Sequence, residues 1–178
     1  MKLNTQEKAA VIGMILGDGY LQKTGEKNAR LRLEQSAKQK AYLLWKVALL
    51  PRFFQGKLTM LTRIHPITKQ SYHYARHQSS SSSELGKLRK IFYPEGKKYI
   101  PQNLEQFLIS SLTLAIWHMD DGYYDKKDND IYLYLGRVSK REAEIARVAI
   151  KKKFDLESSV LDKKIKGFAL YFSPLRIK

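Results

Sequence analysis

A chain of 178 residues is long enough to bury a core, and its 33 Lys and Arg against 17 Asp and Glu give a formal net charge of +16 that attracts polyanions. It contains no cysteine, which excludes disulfides, thiolate zinc sites and thiol nucleophiles and leaves oxygen ligands for any metal ion. It shows no signal sequence and no apolar run near the roughly 20 residues of a membrane span, so we expect an intracellular nucleic-acid-binding protein, in the cytoplasm or an organelle matrix, without membrane contact.

The first predicted elements are a helix and a hairpin. Residues 7–18 are apolar or small nearly all round, as in a helix buried against another helix. After a strand at 20–23 and a turn, Leu31 and Leu33 alternate with Arg30 and Arg32, which indicates a strand with one apolar and one basic face.

The same helix-and-hairpin order follows once more before residue 101. In a helix at 38–49, helical spacing predicts a buried face that contains Ala41, Leu44, Trp45, Ala48 and Leu49. The other predicted elements of this half are a hairpin at 56–63 and 70–77, a helix at 85–92 and a basic loop at 94–101.

The whole order then recurs in the second half. An apolar helix at 111–120 stops at Asp121, as the first stops at Asp18, and the two aspartates are offset by 103 residues. Strands near 123 and at 131–137, a helix at 139–153 with Ser139 as its N-cap, and strands at 158–162 and 168–173 complete the repeat. The sequence therefore predicts two half-repeats, residues 1–101 and 102–178.

The aspartates that end the two apolar helices are candidate metal ligands. Gly13 and Gly17 lie four residues apart, so they share a helix face and let another backbone approach, and Ala115 offers a comparable gap. If the two helices pack side by side, Asp18 and Asp121 project to one place, where a divalent cation relieves their repulsion and can hydrolyse a phosphodiester. The alternative for each motif alone is a helix that simply ends at Asp-Gly, a common turn, but the duplication favours a site.

At these residues the sequence resembles the LAGLIDADG homing endonucleases, in particular the group whose second motif reads like LAIWHMDDG, here residues 114–122. The first motif, VIGMILGDG, occupies 11–19, and the likeness includes residues 92–93 and 96–101 and covers nearly the whole chain. The resemblance implies an α+β fold of two pseudo-symmetric αββαββ(α) half-repeats, with motif helices packed at the centre and saddle-shaped antiparallel sheets that lie in the DNA major groove. It also implies staggered double-strand breaks made with Mg²⁺ or Mn²⁺.

The same resemblance assigns roles near the motifs. It implies that Asp18 and Asp121 bind metal, with the backbone of Gly17 and Asp120 adjacent to it, while Asp120 has a structural role. Gln35 and Lys98 match the glutamine and lysine that flank the cleavage water in this family. Their alternative roles are the end of a strand and, together with Lys97, solvated surface charges. A single histidine on an apolar helix, His118, is more often a core residue than a ligand of a hard cation.

The two halves differ in these supporting groups. Arg137 stands where the repeat would place a counterpart of Gln35, and the sequence to Lys178 contains no second copy of the helix and basic loop that precede the second motif. We therefore expect unequal cutting of the two DNA strands, or loss of cutting.

DNA reading is assigned to the polar faces of the hairpins, because a β-ribbon can enter the major groove and arginine to guanine is the commonest specific contact. The two halves carry different side chains there, which predicts a monomer acting on a long, asymmetric target. The candidates are Arg30, Arg32, Lys57, Thr59, Arg63, Tyr72, Tyr74 and Arg76 in the first half and Tyr132, Tyr134 and Arg137 in the second.

Two other classes of function fit part of the pattern. One is a binding protein on the same scaffold, either an intron maturase that holds RNA or a DNA-binding regulator, but binding alone would not require both aspartates. The other is a small basic structural protein, which the charge supports and the duplicated motif does not. The sequence favours a site-specific, metal-dependent endonuclease of double-stranded DNA.

Overall fold

The computed structural model describes residues 2–173, and it confirms the predicted α+β class. Within that range lie five α-helices and eight β-strands, together with three short 3₁₀ helices. The helices are α1 (Thr5–Leu16), α2 (Lys40–Ala48), α3 (Ser83–Phe92), α4 (Ser111–Asp121) and α5 (Lys140–Phe154). The strands are β1 (Tyr20–Lys23), β2 (Ala29–Ser36), β3 (Thr59–Ile64), β4 (Ser71–Gln78), β5 (Gly122–Asp125), β6 (Asp130–Gly136), β7 (Ser159–Asp162) and β8 (Phe168–Phe172).

The strands form two antiparallel four-stranded sheets of identical topology. Their orders are β1-β2-β4-β3 and β5-β6-β8-β7, so the second sheet repeats the first, strand for strand. The internal repeat predicted from the two aspartates is thus present in the topology. No helix follows β8 within the described part of the chain, and residues 174–178, the end of the predicted second half-repeat, lie outside it.

The chain divides into two compact units, which do not coincide with the two sequence repeats. Unit 1 comprises Met1–Glu7 and Asp18–Lys90, and unit 2 comprises Lys8–Gly17 and Ile91–Lys178. Most of α1 therefore belongs to the unit that contains α4. In each unit one face of the sheet is buried beneath helices, and the other face is left open; the buried residues of the covered face include Leu21, Leu31, Leu33 and Ala75 in unit 1 and Leu133 and Leu170 in unit 2.

The predicted buried face of α2 is wrong. Leu44 and Trp45 are 43% and 40% exposed, whereas Leu43 and Lys46 are fully buried. A cation–π contact offsets part of the cost of burying Lys46, because its ammonium group lies 4.4 Å from the centre of the Tyr42 ring. Apolar residues occupy more than one side of this helix, so helical spacing alone did not determine which side faces the sheet.

Helix α5 begins as predicted at Ser139, with a reciprocal capping box. The Ser139 hydroxyl accepts a hydrogen bond from the backbone N–H of Glu142, and the Glu142 carboxylate accepts one from the Ser139 backbone N–H. The other oxygen of the same carboxylate accepts from the backbone N–H of Ile100, at the end of the basic loop. Burial would raise the pKa of Glu142, but the hydrogen bonds from Ser139 and Ile100 outweigh it and lower that pKa.

We expect Glu142→Ala to lower the free energy of unfolding by about 2 kcal/mol, and Ser139→Ala by about 1 kcal/mol, because only the first variant also removes the tether to Ile100. Since the folded-state pKa is lowered, this contribution is present above the ordinary value of 4.5 and is lost as the pH falls through the folded-state pKa. Urea unfolding of both variants at pH 7 and pH 4 measures it. Equal losses at pH 7 would mean that the tether contributes nothing.

Within residues 2–173, no helix combines the length and the apolar character that crossing a membrane would require.

Candidate functional site

Helices α1 and α4 pack closely within unit 2. A Cβ added at Gly13 would lie 2.7 Å from the backbone oxygen of Thr113 and 2.9 Å from Cβ of Ile116. The buried Thr113 hydroxyl donates to the backbone oxygen of Ala9 across the same contact, at 3.1 Å. The close approach predicted at Gly13 is therefore confirmed. The comparable gap expected at Ala115 is wrong, because that residue is exposed on another side of α4.

The contact between the helices continues to their C-terminal ends. Gly17 is buried directly after α1, and a Cβ there would lie 2.6 Å from Cβ of Asp120. Only a glycine fits against Asp120 at this position. Asp18 and Asp121 are the residues that directly follow this pair in the chain, so the packing explains why a small residue precedes the first aspartate.

In unit 1, Gln35, which the family resemblance placed beside the cleavage water, contacts Asp18. The Gln35 amide nitrogen donates to a carboxylate oxygen of Asp18 at 2.9 Å. Gln35 is only 6% exposed, because it continues the buried side of β2 after Leu31 and Leu33, whereas Asp18 is exposed. A polar side chain at a buried strand position needs a partner, and Asp18 supplies one.

Lys98 lies in unit 2, with the end of α1. Its ammonium group donates to the backbone oxygen of Gly17, the residue before Asp18. The last carbonyls of a helix carry partial negative charge, so a cation is stabilised there. The predicted neighbour Lys97 is exposed, and Lys98 is also largely exposed apart from this contact.

Lys98 and Arg137 line the same small pocket of unit 2, together with Leu16, Tyr99 and Trp117. The sequence predicts these two cations in opposite halves, with Arg137 as the counterpart of Gln35. The strand register corrects this correspondence. Gln35 pairs with Ala75, and the equivalent pair in the second sheet is Gly136 with Phe168, after a shift in register between Tyr134 and Gly136.

The donors near the two aspartates suit a hard cation. Among residues 2–173, no group of three or more His, Asp or Glu side chains is close enough together to hold a metal ion. Mg²⁺ does not need such a cage, because it commonly uses one or two carboxylates and completes its shell with water and substrate phosphates. Carboxylate and backbone oxygens, such as those at the end of each helix, are the ligand types that suit Mg²⁺ or Mn²⁺.

His118 lies in an apolar environment of unit 2. Burial lowers its pKa and favours the neutral ring, and its Nε2 atom is buried without a hydrogen-bond partner within the described residues. The side chain lines an apolar cavity of unit 2 with Leu114, Ile131 and Leu133. The core role expected from its place on an apolar helix agrees with this environment.

The open face of the first sheet is rich in arginine. The register places Arg32 beside Gln78 and Arg76 beside Thr59, on the same side as the remaining predicted residues of β2, β3 and β4. This resolves which side of the second hairpin is polar: Thr59, Arg63, Tyr72, Tyr74 and Arg76 all share the face of Arg30 and Arg32. Lys57 precedes β3 and is exposed in the loop.

Two kinds of contact order these arginines. Glu34 accepts from Arg63 at 2.6 Å and from Arg76 at 2.7 Å, which ties both guanidinium groups to one carboxylate. Arg30 donates to the Gln22 side chain, and Arg32 lies over the Tyr20 ring at 5.1 Å. Arg30 and Arg32 are thus held by neutral partners, which leave their full charge in place.

The open face of the second sheet is aromatic. Tyr132 lies at its centre, with ring centres of Tyr123 at 6.3 Å, Tyr134 at 6.4 Å and Tyr171 at 5.3 Å. The sequence prediction contained Tyr132 and Tyr134 and missed the other two. The signal was present for Tyr123, which follows Asp121-Gly122 as Tyr20 follows Asp18-Gly19, but Tyr171 needed the register of β8.

Comparison with known proteins identifies relatives along most of the chain. A model of the LAGLIDADG DNA endonuclease family matches residues 8–177. The structure is similar to that of the homing endonuclease I-WcaI bound to its DNA recognition sequence, with 27% sequence identity and a TM-score of 0.87 over 97% of this chain and 77% of that one. This similarity confirms the predicted fold.

Two curated relatives differ in how much of their length is matched. The probable intron-encoded endonuclease 1 of Wickerhamomyces canadensis is 29% identical over 163 residues, which cover 89% of this chain and 70% of the relative. Protein RecA of Mycobacterium gastri is 33% identical over 140 residues, 72% of this chain. The match spans only 29% of the length of that RecA protein.

Proposed function

Because the chain belongs to the LAGLIDADG DNA endonuclease family, we propose that it is a site-specific homing endonuclease that hydrolyses both strands of duplex DNA with Mg²⁺ or Mn²⁺. Asp18 and Asp121 are its metal ligands, with Gln35 and Lys98 beside the reacting groups. It acts as a monomer on a long asymmetric target, because its two halves present different side chains.

The packing of α1 against α4 carries the proposal. The two helices are in close contact at Gly13 and again at Gly17, where a side chain would clash with Asp120. Gly17 is followed by Asp18, and Asp120 is followed by Asp121. Two carboxylates that are brought together repel unless a cation or a proton intervenes. A scaffold that served binding alone would have no need of this arrangement.

The Gln35 amide has the geometry of a water-orienting group. Because ionised Asp18 can only accept, the atom facing it must be the amide nitrogen, and the amide oxygen is then directed away from the carboxylate. That oxygen can accept a hydrogen bond from the attacking water, which orients the water without adding charge. Burial of the side chain restricts it to this orientation.

The Lys98 ammonium stabilises charge that develops on the scissile phosphate. Its contact with the Gly17 backbone oxygen holds the positive charge next to Asp18 in the chain. Arg137, in the same pocket, can approach the neighbouring phosphate. A bound divalent cation supplies Lewis-acid activation of the phosphate and of the attacking water.

The decisive substrate is the sequence that flanks the gene, joined without the insertion that carries it. We expect a supercoiled plasmid with this joined site to be linearised in Mg²⁺ or Mn²⁺ and to remain intact in EDTA, while a plasmid with the interrupted site remains uncut. Binding of the joined site in Ca²⁺ without cleavage in Mg²⁺ would instead indicate a DNA-binding regulator. Binding of intron RNA in place of the duplex would indicate a maturase.

Replacing Arg30 or Arg32 with alanine should relax base preference at particular target positions, with a loss of about 1–3 kcal/mol of discrimination each. Neither guanidinium is neutralised by the carboxylate of Glu34, and both lie on the open face. Competition binding against a panel of single-base variants of the target measures the loss. Lys57→Ala is the control, because a loop lysine contacts phosphate and its loss should weaken all sequences equally; a uniform loss in the arginine variants would assign them to the backbone as well.

A further inference from the structure

We propose that Glu34 is a positioning residue for base recognition, which directs Arg63 and Arg76 to base edges and away from the phosphate backbone in the half-site that unit 1 reads. This inference rests on the proposed action on duplex DNA and adds how part of the target is specified. It predicts guanine at the positions that the two arginines contact. It also predicts that removal of the carboxylate lowers discrimination between sequences and raises affinity for DNA of any sequence.

One carboxylate on the open face of the first sheet binds two guanidinium groups. Glu34 of β2 and Arg76 of β4 are register partners, and Arg76 contacts a single carboxylate oxygen, Oε2, through Nε at 2.8 Å and through Nη2 at 2.7 Å. Nη2 of Arg63 lies 2.6 Å from the other oxygen, Oε1. The Arg63 guanidinium also lies over the Tyr74 ring, 4.8 Å from its centre. Both arginine side chains are thus held in one orientation before any ligand binds.

The contact with Glu34 determines which edge of the Arg76 guanidinium is presented. The bonds to the carboxylate use the Nε–Nη2 side, so the Nη1–Nη2 edge is directed away from Glu34. That edge carries two parallel N–H groups, which match the O6 and N7 acceptors of guanine in the major groove. A side chain that is already ordered also loses less conformational entropy when it binds. The geometry therefore favours a two-bond contact with guanine.

A carboxylate at this place is unfavourable for simple affinity to a polyanion. Glu34 offsets one of the two positive charges beside it and repels phosphate. Exposed ion pairs contribute little to folding, and the Arg63 side chain is 51% exposed, so stability gives only a weak reason for an acidic group here. What Glu34 provides is a fixed direction for two guanidinium groups. Base recognition requires a fixed direction, whereas contact with phosphate only positions the protein on the duplex.

The cluster of Glu34 and its two arginines borders the proposed cleavage centre. Glu34 and Arg63 line a pocket of unit 1, about 420 Å³ in volume, that also contains Asp18 and Gln35. Arg30, by contrast, lies nearer the turn between β1 and β2 and is held by a neutral amide. We therefore expect the cluster to specify the inner positions of this half-site, those nearest the scissile phosphate.

The test uses the full-length chain in Ca²⁺ and a duplex target selected from a pool of randomised sequence, with competition binding against every single-base variant of that target. Glu34→Gln keeps the length of the side chain and removes its charge. We expect a loss of about tenfold in discrimination at the inner guanine positions. Affinity for random-sequence duplex should rise, and the dependence of log Kd on log salt concentration should steepen by about one, because a released guanidinium reaches a phosphate.

Three further variants assign the effect to the cluster. Glu26→Gln removes the same charge from the exposed turn between β1 and β2 and should leave base preference unchanged. Arg76→Ala should relax guanine positions that Glu34→Gln also relaxes, and the double variant should relax the position read by Arg76 no further. Glu34→Asp keeps the charge on a shorter side chain. It should lose part of the discrimination without gaining affinity for random sequence, and it carries the test should Glu34→Gln fail to fold.

The outcomes separate this inference from the proposed function. Unchanged base preference in Glu34→Gln, equal weakening of all sequences, or relaxation at bases other than guanine overturns the positioning role and leaves the endonuclease intact. Loss of a cytosine preference that persists in Arg63→Ala and Arg76→Ala would mean that Glu34 accepts directly from a base, which also overturns it. If the wild-type chain selects no duplex sequence at all, both the proposed function and this inference fail.

Discussion

Replacing Asp18 or Asp121 with asparagine should lower the cleavage rate more than about 10³-fold, because each change removes a charged metal ligand whose cation contributes several kcal/mol to transition-state stabilisation. Affinity for the target in Ca²⁺ should fall much less, since phosphate contacts supply most of the binding energy. Single-turnover cleavage in Mg²⁺ and equilibrium binding in Ca²⁺, measured on the same preparations, separate the two effects. Full cleavage by either variant would remove that aspartate from the site.

A matched control comes from another aspartate of the same chain. Asp128 is exposed in the turn between β5 and β6, so Asp128→Asn removes one negative charge without touching the helix ends. We expect it to cleave at the wild-type rate. Asp18→Asn has a second consequence, because the Gln35 amide would lose an ionised acceptor, and thermal unfolding of this variant checks that the loss of activity is not a loss of folding.

The strongest sequence signals correspond to the most constrained positions. Gly13 and Gly17 could be interpreted from sequence because a helix contact without room for a side chain allows almost no other residue. Gln35 was assigned from the family resemblance, although the alternation of Leu31 and Leu33 continues to it and would also have indicated a buried polar residue. A buried polar group needs a hydrogen-bond partner, so a polar residue at a buried strand position indicates that a second polar group lies beside it.

The errors lie where the physical signal is degenerate. Helix α2 carries apolar residues on several sides, so its helical spacing was predicted correctly but its buried side was not. Leu44 and Trp45 are exposed where burial was expected. In β6 the register shifts near Gly136, and the hydrophobic alternation of the sequence does not indicate this shift. Because of it, Arg137 does not occupy the position equivalent to Gln35. The contacts of Tyr171 and Lys98 are between residues far apart in sequence, and no local pattern reports them.

The register of β6 strengthens the expectation that the two DNA strands are cut at unequal rates. Gln35 has a glycine, Gly136, at the equivalent position, so only one half supplies a buried amide that can orient water. The strand whose phosphate lies beside Gln35 should be cut faster, and nicked plasmid should accumulate. Loss of one preorganised donor or acceptor at a reacting centre commonly costs roughly 10²–10³ in rate, and a tenth of that would still be visible as nicked circle.

Gln35→Met tests this asymmetry because it keeps the length and burial of the side chain and removes the amide. The faster strand should slow by roughly 10²-fold toward the rate of the other, so that total cleavage falls and the transient nicked species disappears. Each strand is end-labelled separately on a target duplex and followed in Mg²⁺, with Gln106→Met, at an exposed position in unit 2, as the matched control. Equal strand rates in the wild-type protein would contradict the expectation and would mean that Arg137, beside Lys98, provides for the second phosphate what Gln35 provides for the first.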